Sequence, residues 1–427
     1  MGSNDAMTGW HMDALRRRTV GVLFAGVALG STGHIAAVTV TSIVALELGR
    51  DRSLAGLPAA AVVFGAAVGA TILGAVMGRW GRRPGLAGGY LVGVIGALIA
   101  VVGIVAQSFP VLLVGCIAIG FGNSSNQLSR YAAADMYPSR RRASAIGIVV
   151  WAATVGAVIG PNLIQISGDI AVSLGLPRLS GPYLVPVVLV GIAALLSSVL
   201  LRPDPRDLAD QSAETGRVHR VQARRGDVLR RPTVALAVLA LIAGQFVMVL
   251  IMTMTPLHMT DHGHDLGAVG IVISAHVFGM FALSPISGRL TDRFGSLPII
   301  GAGLAIILAS ALLSAVAAPA EQLVLFIALF LLGWGWNLGF VAGSSMLTGA
   351  VSSTERARIQ GVSDALIWST SAIASLGSGV VVGAWGFPVL GILGAMIVGV
   401  VGAVVLLGRG AVRPPSRPAA PLEPVVE

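Results

Sequence analysis

Long apolar runs alternate with short polar breaks along almost the whole chain. From Val20 to Leu407 the runs fall at about 20–47, 58–78, 85–106, 110–135, 143–165, 182–201, 233–257, 267–287, 297–317, 323–350, 360–383 and 387–408. A hydrocarbon core of about 30 Å needs roughly 20 apolar residues per helix, so each run is read as a membrane-spanning helix. The only long polar interruption is an Arg-rich stretch opened by Pro203-Asp204-Pro205, a helix-ending signal. The pattern predicts an N-terminal segment 1–19, a six-helix bundle 20–201, a linker 202–232, a second six-helix bundle 233–408 and a Pro-rich, disordered tail 409–427. The expected fold is an all-α membrane protein of two pseudo-symmetric halves.

Composition agrees. Hydrophobic residues make up 55% of the 427 residues and charged ones 11%, and mean hydropathy is +0.86. The 56 glycines suit helices that pack closely in lipid. No cleavable signal is read at the N-terminus, and Met1 to Met7 stay outside the reading. The net charge of +9 comes from Arg alone, since the chain contains no Lys. It does not imply nucleic acid, because it follows topology. Arg16 to Arg18, Arg79 to Arg83, Arg140 to Arg142, the linker, Arg289, Arg293, Arg356, Arg358 and the tail share one side of the threading, and Arg50, Arg52 and Arg178 lie on the other. The positive-inside rule makes the Arg-rich side cytoplasmic, with both termini there. A single cysteine, Cys116, excludes an intrachain disulfide and a multi-Cys metal cage. No phosphate-cradling loop is present, so ATP-driven transport has no support.

The halves carry a repeat. Gly74-Ala-Val-Met-Gly78-Arg79-Trp80-Gly81-Arg82-Arg83 follows the second span, and Gly288-Arg-Leu-Thr-Asp292-Arg293-Phe294-Gly295 follows the eighth. Glycine permits a tight turn there, and the charged side chains can latch neighbouring helix ends. Both segments resemble the G-x-L-x-D-R-x-G-R signature of the major facilitator superfamily. The departure is Gly78, where that family places Asp. The N-terminal latch would then rest on Arg79 and Arg82, pairing with Asp135, and the C-terminal one on Asp292 and Arg293. Gly156-Ala-Val-Ile-Gly160-Pro161 resembles the antiporter motif of the same superfamily, whereas the Arg that drug exporters carry in mid-helix 4 is not found near Cys116.

Candidate chemistry concentrates in the second half. Met248 and Met252 are four residues apart, as are His276 and Met280, so each pair shares a helix face. At 1.5 Å per residue, Met252 lies about 8 Å below the outer end of its helix, Met248 and His276 about 14 Å, and Met280 about 20 Å. Consecutive spans joined by a short loop are expected to be neighbours, which would set the two ladders face to face. Thioether and imidazole are ligands for copper, above all Cu(I). The bland alternative is that Met fills gaps in the core and His276 bonds a neighbouring helix. The two pairs resemble the M-x-x-x-M and H-x-x-x-M signature of the CcoA-type bacterial copper importers. That resemblance implies copper uptake across the inner membrane for haem–copper cytochrome c oxidase assembly, with Met248, Met252, His276 and Met280 as the copper-binding set. The thiol step of that family is in doubt with Cys116 alone. Relatives without the metal motif move other substrates, including riboflavin.

Further candidates surround these. His258, Met259, Asp261, His262, His264 and Asp265 form the outer loop, either a metal-capture site or a solvated polar loop. His34 either lines the path or bonds a neighbouring helix. Asn123, Asn126, Gln127, Arg130, Trp151, Gln245, Trp334, Trp336 and Asn337 could line a cavity. Asp364 is expected to pair with Arg358, the alternative being a proton or cation site. The favoured reading is a monomeric copper importer in the lipid bilayer, without a cofactor. The runner-up is an organic-solute or multidrug transporter of the same superfamily.

Overall fold

The computed structural model describes residues 2–48, 54, 56–207, 228, 231–264, 266–317 and 322–408. All of the regular structure among them is helical. The first half comprises α1 (Gly2–Thr39), α2 (Thr41–Glu47), α3 (Leu57–Trp80), α4 (Arg82–Val105), α5 (Phe109–Asp135), α6 (Arg142–Ser173) and α7 (Gly181–Leu200). The second comprises α8 (Pro232–Met252), α9 (Thr255–Asp261), α10 (Leu266–Val277), α11 (Ser284–Phe294), α12 (Ser296–Val316), α13 (Gln322–Ala350), α14 (Ser353–Trp385) and α15 (Phe387–Gly408). Among the described residues, eleven helices are long and apolar enough to cross a membrane. The pair Ala268–Ala282 and Ser284–Phe294, bent by 43°, makes a twelfth if counted as one span. Residues 208–227 of the expected linker and the expected tail 409–427 lie outside the described residues.

Several element boundaries differ from the hydropathy pattern, two of them instructively. Helix α1 begins at Gly2, well before the apolar run at Val20, since residues 2–19 contain no proline and the isolated Gly9 is tolerated within a helix. The eighth span is interrupted by a π turn at Phe278–Ala282, which Ser284-Pro285 follows. Proline has no N–H to continue the ladder, so the helix restarts at Ser284.

The halves pack alike. The fourth span of each half packs against both the first and the second: α5 against α1 and α3, α13 against α8 and α10. Backbones come very close there. A Cβ at Gly65 of α3 would stand 1.9 Å from the Ile117 carbonyl oxygen of α5, so only glycine fits. At equivalent places the chain turns on Gly81 (φ 100°) and Gly295 (φ 89°), a left-handed backbone that glycine adopts without strain.

Between the halves, α3 packs on α14 and α6 on α11. A Cβ at Gly74 would lie 2.8 Å from the Gly361 Cα, and one at Gly288 2.6 Å from the Ala143 carbonyl oxygen. Every hydrogen bond and ion pair between the halves among the described residues falls in the Arg-rich half of the molecule. At the other end, the second halves of α6 and α14 are largely exposed. The two bundles are therefore clamped at one end only.

Candidate functional site

The two pairs of expected copper ligands lie on helices that do not pack closely on each other. Met248 is only 4% exposed within the apolar core, and Met252 closes α8 half-buried. Helix α8 packs on α13, α14 and α15, whereas α10 packs on α13. The premise that consecutive spans are direct neighbours is corrected by this: α13, the fourth span of its half, is the helix that α8 and α10 share. His276 is 0% exposed, and its Nδ1 donates to the Leu329 carbonyl oxygen of α13 at 2.9 Å. Its Nε2 is buried without a partner. Met280 lies in the π turn, whose wider winding rotates it relative to His276 from where a regular helix would put it.

The outer histidines sit on α9 and just beyond it. His258 stacks on Phe387 with centroids 4.2 Å apart, and its ring lies 4.4 Å from that of His262. The His262 Nδ1 donates to the His258 carbonyl oxygen at 2.7 Å. Met259 is buried in the core, and its carbonyl oxygen accepts from the His264 backbone N–H at 3.1 Å. Among the described residues no three His, Cys, Asp or Glu side chains are placed to hold a metal ion. Asp265 lies outside the described residues.

On the first half, His34, Tyr90, Asn123 and Asn126 line a small pocket between α1, α4, α5 and α7. The Tyr90 hydroxyl donates to Asn126 Oδ1 at 3.0 Å, and Asn126 Nδ2 to Asn123 Oδ1 at 2.9 Å. Trp151 is exposed, with its ring 5.5 Å from Phe24. On the second half, Trp336 Nε1 donates to Gln245 Oε1 at 2.8 Å, and Gln245 Nε2 donates to Ser371 Oγ at 3.0 Å. The Trp336 indole stacks on Phe340 at 4.5 Å and meets Phe281 edge-on at 6.0 Å. Four spans thus contribute to one patch of aromatic faces and polar side chains. Asn337 is fully buried and braces the π turn: Nδ2 donates to the Met280 carbonyl oxygen at 2.6 Å and to Ser284 Oγ at 2.7 Å. Trp334 Nε1 is buried without a partner.

The pairing of the charges at the centre was missed by sequence reading. Asp364 does not pair with Arg358; it pairs with Arg130 from the other half, at 2.7 Å, with both side chains 2% exposed. Asp364 Oδ1 also accepts from the Tyr131 hydroxyl at 3.2 Å. Arg130 Nε donates to Ser344 Oγ at 3.1 Å, Nη1 to the Gln127 carbonyl oxygen, and Nη2 to the Tyr131 hydroxyl at 3.0 Å. The guanidinium lies 4.2 Å from the centroids of both Tyr131 and Phe340, a geometry that favours the cation. The signal available was two opposite charges inside apolar spans, each costly alone.

A second network closes the Arg-rich end. Arg82 Nε donates to Asp135 Oδ2 at 2.9 Å and Nη2 to Gln360 Oε1 at 2.5 Å, while Arg356 Nη1 reaches Asp135 Oδ1 at 2.9 Å. Asp292 accepts from the Ala143 and Ser144 backbone N–H groups at 3.0 and 2.9 Å, where the α6 dipole favours an anion. Gly78 has no side chain to do the same for α14. Asp204 instead accepts from the Arg82 and Arg83 N–H groups at 3.0 and 2.8 Å, at the start of α4. Arg79 and Arg293 are exposed and lie over their own neighbours, Trp80 and Phe294, at 5.5 and 5.2 Å.

The comparisons with known proteins agree with this architecture. The family model described as Major Facilitator Superfamily matches residues 19–269 and again 246–426. The chain is 35% identical to an uncharacterized MFS-type transporter, YddS of Bacillus subtilis, over 88% of this chain and 87% of the relative. It is 31% identical to the riboflavin transporter RfnT of Brucella anthropi, over 88% of this chain and 91% of the relative. Among solved structures, the human organic anion transporter MFSD10 superposes with a TM-score of 0.70 at 17% identity, covering 91% of this chain and 99% of that one.

Proposed function

The chain belongs to the Major Facilitator Superfamily, a family of secondary transporters and not of enzymes, and on that premise we propose that it imports a planar aromatic solute, riboflavin or a molecule like it. The observation that carries this reading is the patch of Gln245, Ser371, Trp336, Phe340 and Phe281, a largely buried set of ring faces and an amide that bond one another here and would exchange those contacts for a planar solute. The similarity to a riboflavin transporter supports it. Setting the Arg-rich end in the cytoplasm of a bacterial inner membrane, with both termini there, makes the clamped end the inner one. Substrate then enters from outside, and the two halves rock about the central path to release it inside. The test is growth of a riboflavin-auxotrophic bacterium on limiting riboflavin. Expression of this chain should restore growth, and the Trp336→Ala variant should not. Growth unaffected by either would sink the reading.

A second reading keeps copper as the transported substrate, with Met248, Met252, His276 and Met280 as its ligands. One observation favours it: the buried His276 Nε2 has no partner, while Nδ1 is held by the Leu329 carbonyl oxygen. That is how a ligating imidazole is oriented elsewhere. The packing of α13 against both α8 and α10 weighs against it, as does the lack, among the described residues, of any three His, Cys, Asp or Glu side chains gathered to hold a metal ion. Under this reading, expression should raise cellular copper, and the His276→Ala/Met248→Ala double variant should abolish the rise.

A further inference from the structure

Among the described residues, one carboxylate within the spans is left half-satisfied at the seam between the halves, whereas Asp135 and Asp292 have both oxygens bonded. Asp364 Oδ1 accepts from Arg130 and Tyr131, yet Oδ2 is buried with no partner at all. Its surroundings are simple. Helices α8, α13 and α15 carry no Asp, Glu, Arg, Lys or His. Helix α3 carries only Arg79, exposed and lying over Trp80. On α14 itself the nearest charges are Glu355, Arg356 and Arg358, of which Arg356 is engaged with Asp135. Helix α5 presents Arg130 and Tyr131, with Asp135 held by Arg82 and Arg356. Among the described residues, nothing but Arg130 neutralises Asp364.

The pair is also unequal. Arg130 keeps hydrogen bonds to Ser344, Gln127 and Tyr131 and two ring faces when the carboxylate is neutral. Asp364, by contrast, has no other cation to turn to among the described residues. The ring that flanks Arg130, Phe340, stacks on Trp336, so the seam and the aromatic patch share a side chain.

We infer that Asp364 is a proton-binding site whose occupancy unlocks the Arg-rich end. A hydronium ion delivers the proton, an O–H bond forms on Oδ2, and a water molecule leaves. The site changes from a neutral ion pair to a neutral acid beside an uncompensated guanidinium. In a dry interior a lone cation is costly, and separating the halves lets water reach Arg130. Protonation therefore favours the state open at the Arg-rich end, and proton release favours the clamped state seen here. This coupling does not depend on which solute is carried.

The test needs protons alone. In a Cys116→Ala background, Trp80→Cys and Phe294→Cys place spin labels on the exposed ends of α3 and α11, one on each half. Electron–electron distances are read in nanodiscs from pH 8 to pH 5. The parent should show a short distance at pH 8 and a growing longer population towards pH 5. Asp364→Asn should hold the longer population at both pH values. Asp364→Glu, which still binds a proton, should keep the response with a shifted midpoint. A parent insensitive to pH overturns the assignment. So does an Asp364→Asn variant that titrates like the parent, or an Asp364→Glu variant with an unchanged midpoint.

Discussion

Trp336 and Gln245 carry the specificity at the scale of single residues. The indole N–H has one acceptor, Gln245 Oε1, and that amide has one donor contact, to Ser371. Replacing Gln245 by Leu leaves the shape and removes the polar handle, at a cost of about 1–3 kcal/mol for the stranded partner. Riboflavin uptake should then show a KM raised about tenfold with maximal rate little changed. An unaltered KM would place the binding site elsewhere. His276 gives a contrasting case. If it is a core histidine, His276→Ala leaves cellular copper unchanged and costs about 1 kcal/mol through the lost bond to Leu329. Mass spectrometry of cell copper, with thermal unfolding of the purified variant, measures both. These residues stood out in the sequence as polar or soft groups in apolar spans. Their partners did not, because Arg130 and Asp364 are 234 positions apart, and no local pattern encodes a contact between the halves.

The elements explain why some readings succeeded. Apolar length alone located the spans, since the bilayer imposes it on every helix. The break in the eighth span was less visible: a π turn adds no polar residue to the pattern, and Ser284-Pro285 was its only trace. The neighbour relation of α8 and α10 was misread because a short loop fixes the separation of helix ends and not which helix fills the space between. Gly78 and Gly74 offer element-scale tests. A carboxylate at 78 would approach the first turns of α14, since a Cβ there lies 4.0 Å from the Ala357 Cβ. Gly78→Asp should stabilise the clamped state by about 0.3–1 kcal/mol and slow turnover about two- to fivefold. Gly74→Val should do the reverse, because its side chain collides with Gly361. In that variant the spin labels on α3 and α11 should move apart even at pH 8. Unchanged distances would mean that α3 and α14 do not set the clamp.

For the whole molecule, the asymmetry of contacts sets the functional state. Glycine contacts, the Asp135 network, the Asp292 cap and the Arg130–Asp364 pair all close the Arg-rich half, and nothing comparable joins the halves at the other end among the described residues. A transporter held in that way admits solute from one side and waits for a trigger to change sides. The two-fold repeat of the chain was legible in its motifs, while the unequal latching of the two halves was not, since it arises from Gly78 and from contacts that only folding creates. The most direct test of what is carried is counterflow. Purified protein in liposomes preloaded with unlabelled riboflavin should accumulate external radiolabelled riboflavin above equilibrium, and Trp336→Ala should lose that accumulation. No riboflavin counterflow, together with copper entry that requires His276, would contradict the assignment of an aromatic solute.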